Sequence, residues 1–203
     1  MTETQKEAVR SSIRMFRLPR YNEIPTVGLY LEQVTRYIGE YLSPIQEGCL
    51  TNSMVSNYVK KHLIPNTEKK QYGRDSIAYL IFIAVVKIVF SLDDAKCFID
   101  IQKKSYEISE AYNYFCGEFE RVLSLVFGNT HPDSGELAKE AAEYENDEKM
   151  MLRSAIVAVS HRLYLEKCFE VMSKAVPSDV SEKETSDVPQ NESEMGSGSI
   201  CES

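Results

Sequence analysis

Apolar side chains recur at three- and four-residue steps along much of the chain, the spacing of one face of an α-helix. In residues 26–42 the stripe is Leu31, Val34, Ile38 and Leu42, with Thr26 as a fair N-cap and Ser43-Pro44 as the stop. Thr51 caps a second helix, Asn52 to His62, which Pro65 ends. The stretch SIAYLIFIAVVKIVF, residues 76–90, is apolar nearly all round and predicts the central buried helix. Ser91 opens the next, with Asp93 and Asp94 in its first turn, where the helix dipole favours carboxylates. Residues 105–127 place Ile108, Tyr112, Phe115, Phe119, Val122 and Val126 on one side. A last helical region, from Gly135 to about Ala175, carries Leu152, Ile156, Val159, Leu163 and Met172. Strand-like alternation is scarce, so the pattern predicts an all-α protein.

The flanks differ from this centre. Residues 1–25 hold Arg10, Arg14, Arg17 and Arg20 and are broken by Pro19 and Pro25, which reads as a basic arm. Residues 176–203 are rich in Ser and Glu, carry a net charge of −6 and predict an acidic, disordered tail. Between them the expected division is 26–101 and a second helical region, 102–175, for dimerisation or effector binding.

Composition narrows the class. Hydrophobic residues make up 43% and charged residues 27%, the balance of a soluble globular chain. The longest apolar run, Ile77 to Val86, is too short for the roughly 20 residues of a membrane span, and no secretory leader opens the sequence. The five cysteines are odd in number and form no C-x-x-C, so free thiols in a reducing, cytoplasmic setting are expected. His62, His131 and His161 are isolated from other ligand types, and the carboxylates of 140–148 read as a solvated helix face, so no metal is expected. No P-loop, G-x-S-x-G, H-E-x-x-H or Gly-rich dinucleotide turn occurs, so neither an enzyme nor a cofactor is expected.

Charge changes the picture most. The chain carries −8, yet residues 1–90 sum to +4 and residues 91–203 to −12. Within the basic half, the helix 52–62 turns Val55, Tyr58, Val59 and His62 to one side. Ser53, Ser56, Asn57, Lys60 and Lys61 fall on the other. A loop, IPNTEKKQYG, follows with Lys69 and Lys70. A helix, a break, a polar-faced helix, a basic loop and a buried helix form the plan of a winged helix-turn-helix. Asn57 suits a bidentate bond to adenine, hydroxyls can donate or accept at base edges, and lysines neutralise phosphates.

These residues resemble the DNA-binding domain of the MerR-type transcription regulators. Val55 and Tyr58 match an apolar residue and a tyrosine three on. His62-Leu63-Ile64-Pro65 matches the family's Gly-Leu-(Leu/Ile)-Pro step, Lys70-Gln71-Tyr72 the end of its wing, and Phe90-Ser91-Leu92 the step into the next helix. In wording the chain is nearer an uncharacterised branch from Gram-positive bacteria, a domain of unknown function with a MerR-like fold, over about residues 20–130. Ser56 and Asn57 stand where the family's usual arginine and first tyrosine stand, and His62 replaces its glycine. Base preference is therefore not carried over. The resemblance implies a homodimer that binds double-stranded DNA and pairs through its C-terminal helices, with a small β wing.

The reading that results is a sequence-specific DNA-binding transcription regulator. Its expected contact residues are Thr51, Asn52, Ser53, Ser56, Asn57, Lys60, Lys61, Lys69, Lys70 and Arg74, with Tyr72 positioning the wing. The alternative is a protein-interaction module whose winged helix or acidic helices bind a regulatory partner. A Tyr/Phe-rich stripe over 106–119 fits core or dimer packing better than a ligand pocket.

Overall fold

Thr2 accepts a hydrogen bond from the Gln5 N–H while the Gln5 side chain accepts one from the Thr2 N–H, and this capping box starts helix α1, Glu3–Ser11. The computed structural model describes residues 1–67, 69–128 and 146–174. After α1 come a 3-10 turn at Tyr21–Glu23, strand β1 at Leu29–Tyr30, α2 at Leu31–Leu42, α3 at Asn52–Lys60 and β2 at Gln71–Tyr72. Then follow α4 at Arg74–Val86, α5 at Leu92–Ser105, α6 at Ile108–Phe127 and a helix named α7 here, Asp147–Ser173. Among the described residues the fold is all-α apart from one two-stranded antiparallel ladder, with Leu29 opposite Tyr72 and Tyr30 opposite Gln71.

The N-terminal segment corrects the expectation of an arm. Val9, Ile13, Leu18 and Ile24 are all buried, and Phe16 meets the Phe119 ring edge-on at 5.7 Å. Helix α1 packs along α7. The four arginines that suggested a basic arm are ion-paired: Arg10 and Arg14 with Glu7, Arg17 with Glu23, and Arg20 with Glu120. Glu120 also accepts the Leu18 N–H at 2.8 Å, so α6 clamps the segment at the residue before Pro19.

Helix α2 begins at Leu31, the first residue of its apolar stripe, and five residues after the expected bound at 26. Leu29 and Tyr30 are drawn into the ladder, and the Gln33 side chain accepts the Tyr30 N–H at 2.9 Å, so Thr26 is not the cap. Gly28 permits the approach: a Cβ there would lie 2.8 Å from the Gln71 Cβ. Helix α4 is the centre of the core, as its uniform apolarity predicted, with ten buried residues from Ser76 to Val86. Ser91 caps α5 in a reciprocal box with Asp94.

One apolar cluster runs from Val9 to Cys168, so a single core joins the segments expected as separate regions. Inside it lies an ion pair that apolar periodicity does not reveal. Arg153 on α7 reaches Glu118 on α6 at 2.5 Å, both nearly excluded from solvent, and Arg121 meets the same carboxylate at 2.9 Å. Cys49, Cys116 and Cys168 are buried free thiols, and Cys97 is an exposed one. No helix among the described residues is long and apolar enough to cross a membrane. The acidic tail, the helical region before residue 146, His131, Glu140, Tyr144 and Cys201 lie outside the described residues.

Candidate nucleic-acid interface

Helix α3 is set by its two ends. Thr51 holds extended backbone, and its hydroxyl accepts the Met54 N–H at 3.3 Å, as an N-cap should. At the far end the Leu63 N–H returns to the Tyr58 carbonyl and the His62 N–H to the Val59 carbonyl, both at 3.0 Å. This pair of bonds is a Schellman motif, which needs a left-handed residue between helix and exit. His62 supplies it at φ +56°, in the position where the resembled family has glycine. The reversal drives Leu63 and Ile64 into the core.

Between these ends α3 has two unlike faces. Val55 and Tyr58 are buried and Val59 is half-buried. Ser53, Asn57, Lys60 and Lys61 are exposed, and Ser56 is half-buried. At 1.5 Å per residue the nine-residue helix is about 13 Å long, within the scale of a DNA major groove. No carboxylate lies in sequence between Glu47 and Glu68, the stretch that holds Lys60 and Lys61.

The basic loop is held by unusual backbone. Lys69 and Lys70 both adopt left-handed φ, +50° and +65°. Such a conformation costs an ordinary residue about 1–2 kcal/mol. Among the described residues the only non-glycine positive φ values are His62, Lys69 and Lys70, all on this one surface. The two lysines lead into β2, whose pairing with β1 fixes the loop against α2.

The residues expected at the interface divide into three groups. Ser53, Asn57, Lys60, Lys61, Lys69 and Lys70 are exposed, and the four lysines take part in no ion pair among the described residues. Thr51, Asn52 and Ser56 have work inside the fold as well. Thr51 lies 3.0 Å from the Ser53 hydroxyl, the Asn52 Oδ1 accepts from the Thr35 hydroxyl at 3.1 Å, and the Ser56 hydroxyl donates to the Asn52 carbonyl at 2.9 Å.

Tyr72 and Arg74 face inward. Tyr72 is buried, and that burial pushes its phenol above the ordinary range, so it anchors β2 without reaching a partner. The Arg74 guanidinium donates to the Ile24 carbonyl at 2.9 Å and stacks over the Tyr21 ring at 5.3 Å. Tyr21 in turn hydrogen-bonds Asp75. Arg74 thus fastens the N-terminal segment to α4, and its expected role as a phosphate contact gives way to a structural one.

A second exposed feature lies on α7. Met151, Leu165 and Met172 stand on solvent with Phe169 beside them, and half-buried Ala158 completes a seven-residue repeat with the first three. That is the period of a helix–helix seam. Among the described residues no group of three or more His, Cys, Asp or Glu side chains is placed to hold a metal ion.

Residues 19–115 match the model of a family described as a domain of unknown function, DUF1836. The match begins at the clamped Pro19 and ends within α6, so it takes in α3, the basic loop and the ladder. No curated protein and no solved structure matches the chain.

Proposed function

We propose that the protein is a sequence-specific DNA-binding transcription regulator of winged helix-turn-helix plan, acting as a homodimer. The observation that carries this reading is the α3 surface: a short helix whose outer face bears Ser53, Asn57, Lys60 and Lys61, flanked by a second lysine pair in a strained turn. Strain kept at an exposed position points to use, because a glycine would hold the same turn at lower cost. In this reading α3 enters the major groove. Asn57 and Ser53 meet base edges, and a bidentate asparagine–adenine contact supplies about 1–3 kcal/mol of discrimination. Lys60 and Lys61 at the helix end, and Lys69 and Lys70 in the wing, meet phosphates.

The order α2, turn, α3, basic loop, β2, α4, with β2 paired to the strand that precedes α2, supports a winged helix-turn-helix plan, as does the left-handed residue before Leu63-Ile64-Pro65. The exposed seam on α7 supports pairing of two copies, which a two-fold symmetric operator requires. The net acidity of residues 91–203 keeps that half away from the DNA backbone.

Selection of genomic fragments by the full chain, followed by sequencing, tests the reading. Recovery of one motif with two related half-sites supports it. A stoichiometric protein partner with no enriched DNA would replace it with the interaction-module reading.

A further inference from the structure

Helices α4, α5, α6 and α7 do not close fully on one another. They leave a partly open cavity of about 180 Å³, walled mainly by Ala78, Phe82, Phe98, Ile101, Ala111 and Leu152. Well-packed interiors hold few voids larger than a water molecule, and an apolar void of about 150 Å³ is enough to take up benzene. This one sits where the N-terminal and C-terminal helices meet, and its wall is almost wholly carbon.

Several polar groups at its edge are tied to one another, while the buried Tyr112 hydroxyl in its lining makes no hydrogen bond among the described residues. The Tyr79 hydroxyl donates to the Gln102 Oε1 at 3.1 Å, and the Gln102 Nε2 donates to the Tyr106 carbonyl at 2.6 Å. The Tyr106 hydroxyl accepts from the Asn146 amide. Glu148 accepts from the Ser105 hydroxyl at 2.7 Å. The Lys149 ammonium lies over the Tyr106 and Tyr114 rings, 5.9 and 5.5 Å from their centroids. These bonds tie the rim together across α4, α5 and α7. A buried charge entering such a space would be costly.

The rings around it are set at steep angles. Phe82 meets Phe98 at 75° and Phe115 at 79°, with centroids 6.3 and 5.2 Å apart. Edge-to-face geometry of this kind is how aromatic groups pack favourably, and a further flat ring can join it. We propose that this cavity binds a small uncharged aromatic molecule of one or two fused rings. The volume sets the size, the carbon wall excludes charge, and the ring set favours a planar guest. The proposal stands apart from DNA binding and holds whether or not α3 contacts DNA.

The test uses the full chain with indole as the probe and indole-3-acetate and tryptamine as charged comparators. Thermal unfolding and methyl NMR are read together. Indole at ten times its Kd should raise Tm by about 3–6 °C. It should shift the methyl signals of Ala78, Ile101, Ala111 and Leu152. Each comparator should bind at least tenfold more weakly. Ala111→Leu, which fills the void, should lose indole binding while keeping its helicity, and Leu152→Phe serves if that variant does not fold. The proposal is overturned if indole shows no saturable binding up to its solubility limit. It is also overturned if the shifted methyls lie away from the cavity, or if the charged comparators bind as tightly as indole.

Discussion

The molecule uses its cations in two opposite ways. In the N-terminal segment and the α6–α7 pair, arginines are matched to carboxylates: Arg20 to Glu120, Arg153 and Arg121 to Glu118. On α3 and the basic loop, Lys60, Lys61, Lys69 and Lys70 join no ion pair among the described residues. The first arrangement suits arginine, whose planar fork holds a carboxylate in fixed geometry. The second suits lysine, a hydrated point charge that meets a phosphate without demanding one register. At these sites residue choice separates cations that hold the fold from cations turned outward. Arg74 marks the boundary, since it lies beside the lysine surface yet serves the interior.

The largest effect should come from breaking an inward pair. Glu118→Leu removes the carboxylate that Arg153 and Arg121 share, and urea unfolding should show a loss of about 3 kcal/mol. Adding Arg153→Met should recover most of it, because a well-packed apolar pair replaces the ionic one. A loss below about 1 kcal/mol would mean that the pair does not hold α6 to α7. Next in size is the outward set. Lys60→Glu with Lys69→Glu should weaken DNA binding by about a hundredfold or more while stability stays within about 0.5 kcal/mol, since both side chains are exposed. Normal DNA retention by this variant, read in a gel shift, would show that the surface is misassigned.

A smaller change sharpens the contrast. Lys70→Gly relieves a left-handed lysine and should raise stability by about 0.5–1 kcal/mol while DNA binding falls several-fold. A variant that is both more stable and equally active would leave the strain without a use. The smallest effect concerns pH. The Ser91 hydroxyl and backbone N–H hold the Asp94 carboxyl below its ordinary value. A folded-state value depressed in this way stabilises the protein above the unfolded value, near about 3.9, and the gain fades as pH falls through the lower folded value. Wild type should therefore exceed Asp94→Asn in stability at pH 6, and the difference should shrink toward pH 3 in paired urea titrations.

Much of the scaffold was legible because it depends on local rules. Thr51 and Ser91 cap helices where hydroxyls precede apolar periodicity, and α4 is buried because it has no polar face. The two faces of α3 followed from a 100° step per residue. What escaped depends on distant partners. Leu18 and Ile24 gave too little local signal to show that the segment around Pro19 docks on α6. Leu29 and Tyr30 match a helical pattern, and only their pairing with Gln71 and Tyr72 takes them out of α2. Glu118 and Arg153 occupy core positions that apolar periodicity assigns to neither. Arg74 read as one more basic-loop cation because Tyr21 and Ile24 lie some fifty residues upstream. At the candidate interface the exposure of the lysines was readable, but the left-handed turn at Lys69 and Lys70 was not, since neither is a residue that favours it.

The most direct measurement is the salt dependence of binding to a fragment recovered from the genomic selection. With Arg74 turned inward, four lysines remain per subunit, or eight phosphate contacts in a dimer. Plotted as log affinity against log salt, binding should fall linearly with a slope of about −7, from roughly −0.9 per phosphate. The Lys60→Glu, Lys69→Glu variant should flatten it. A slope near zero for the wild-type chain, or one that the variant leaves unchanged, would contradict the assignment of this surface to DNA.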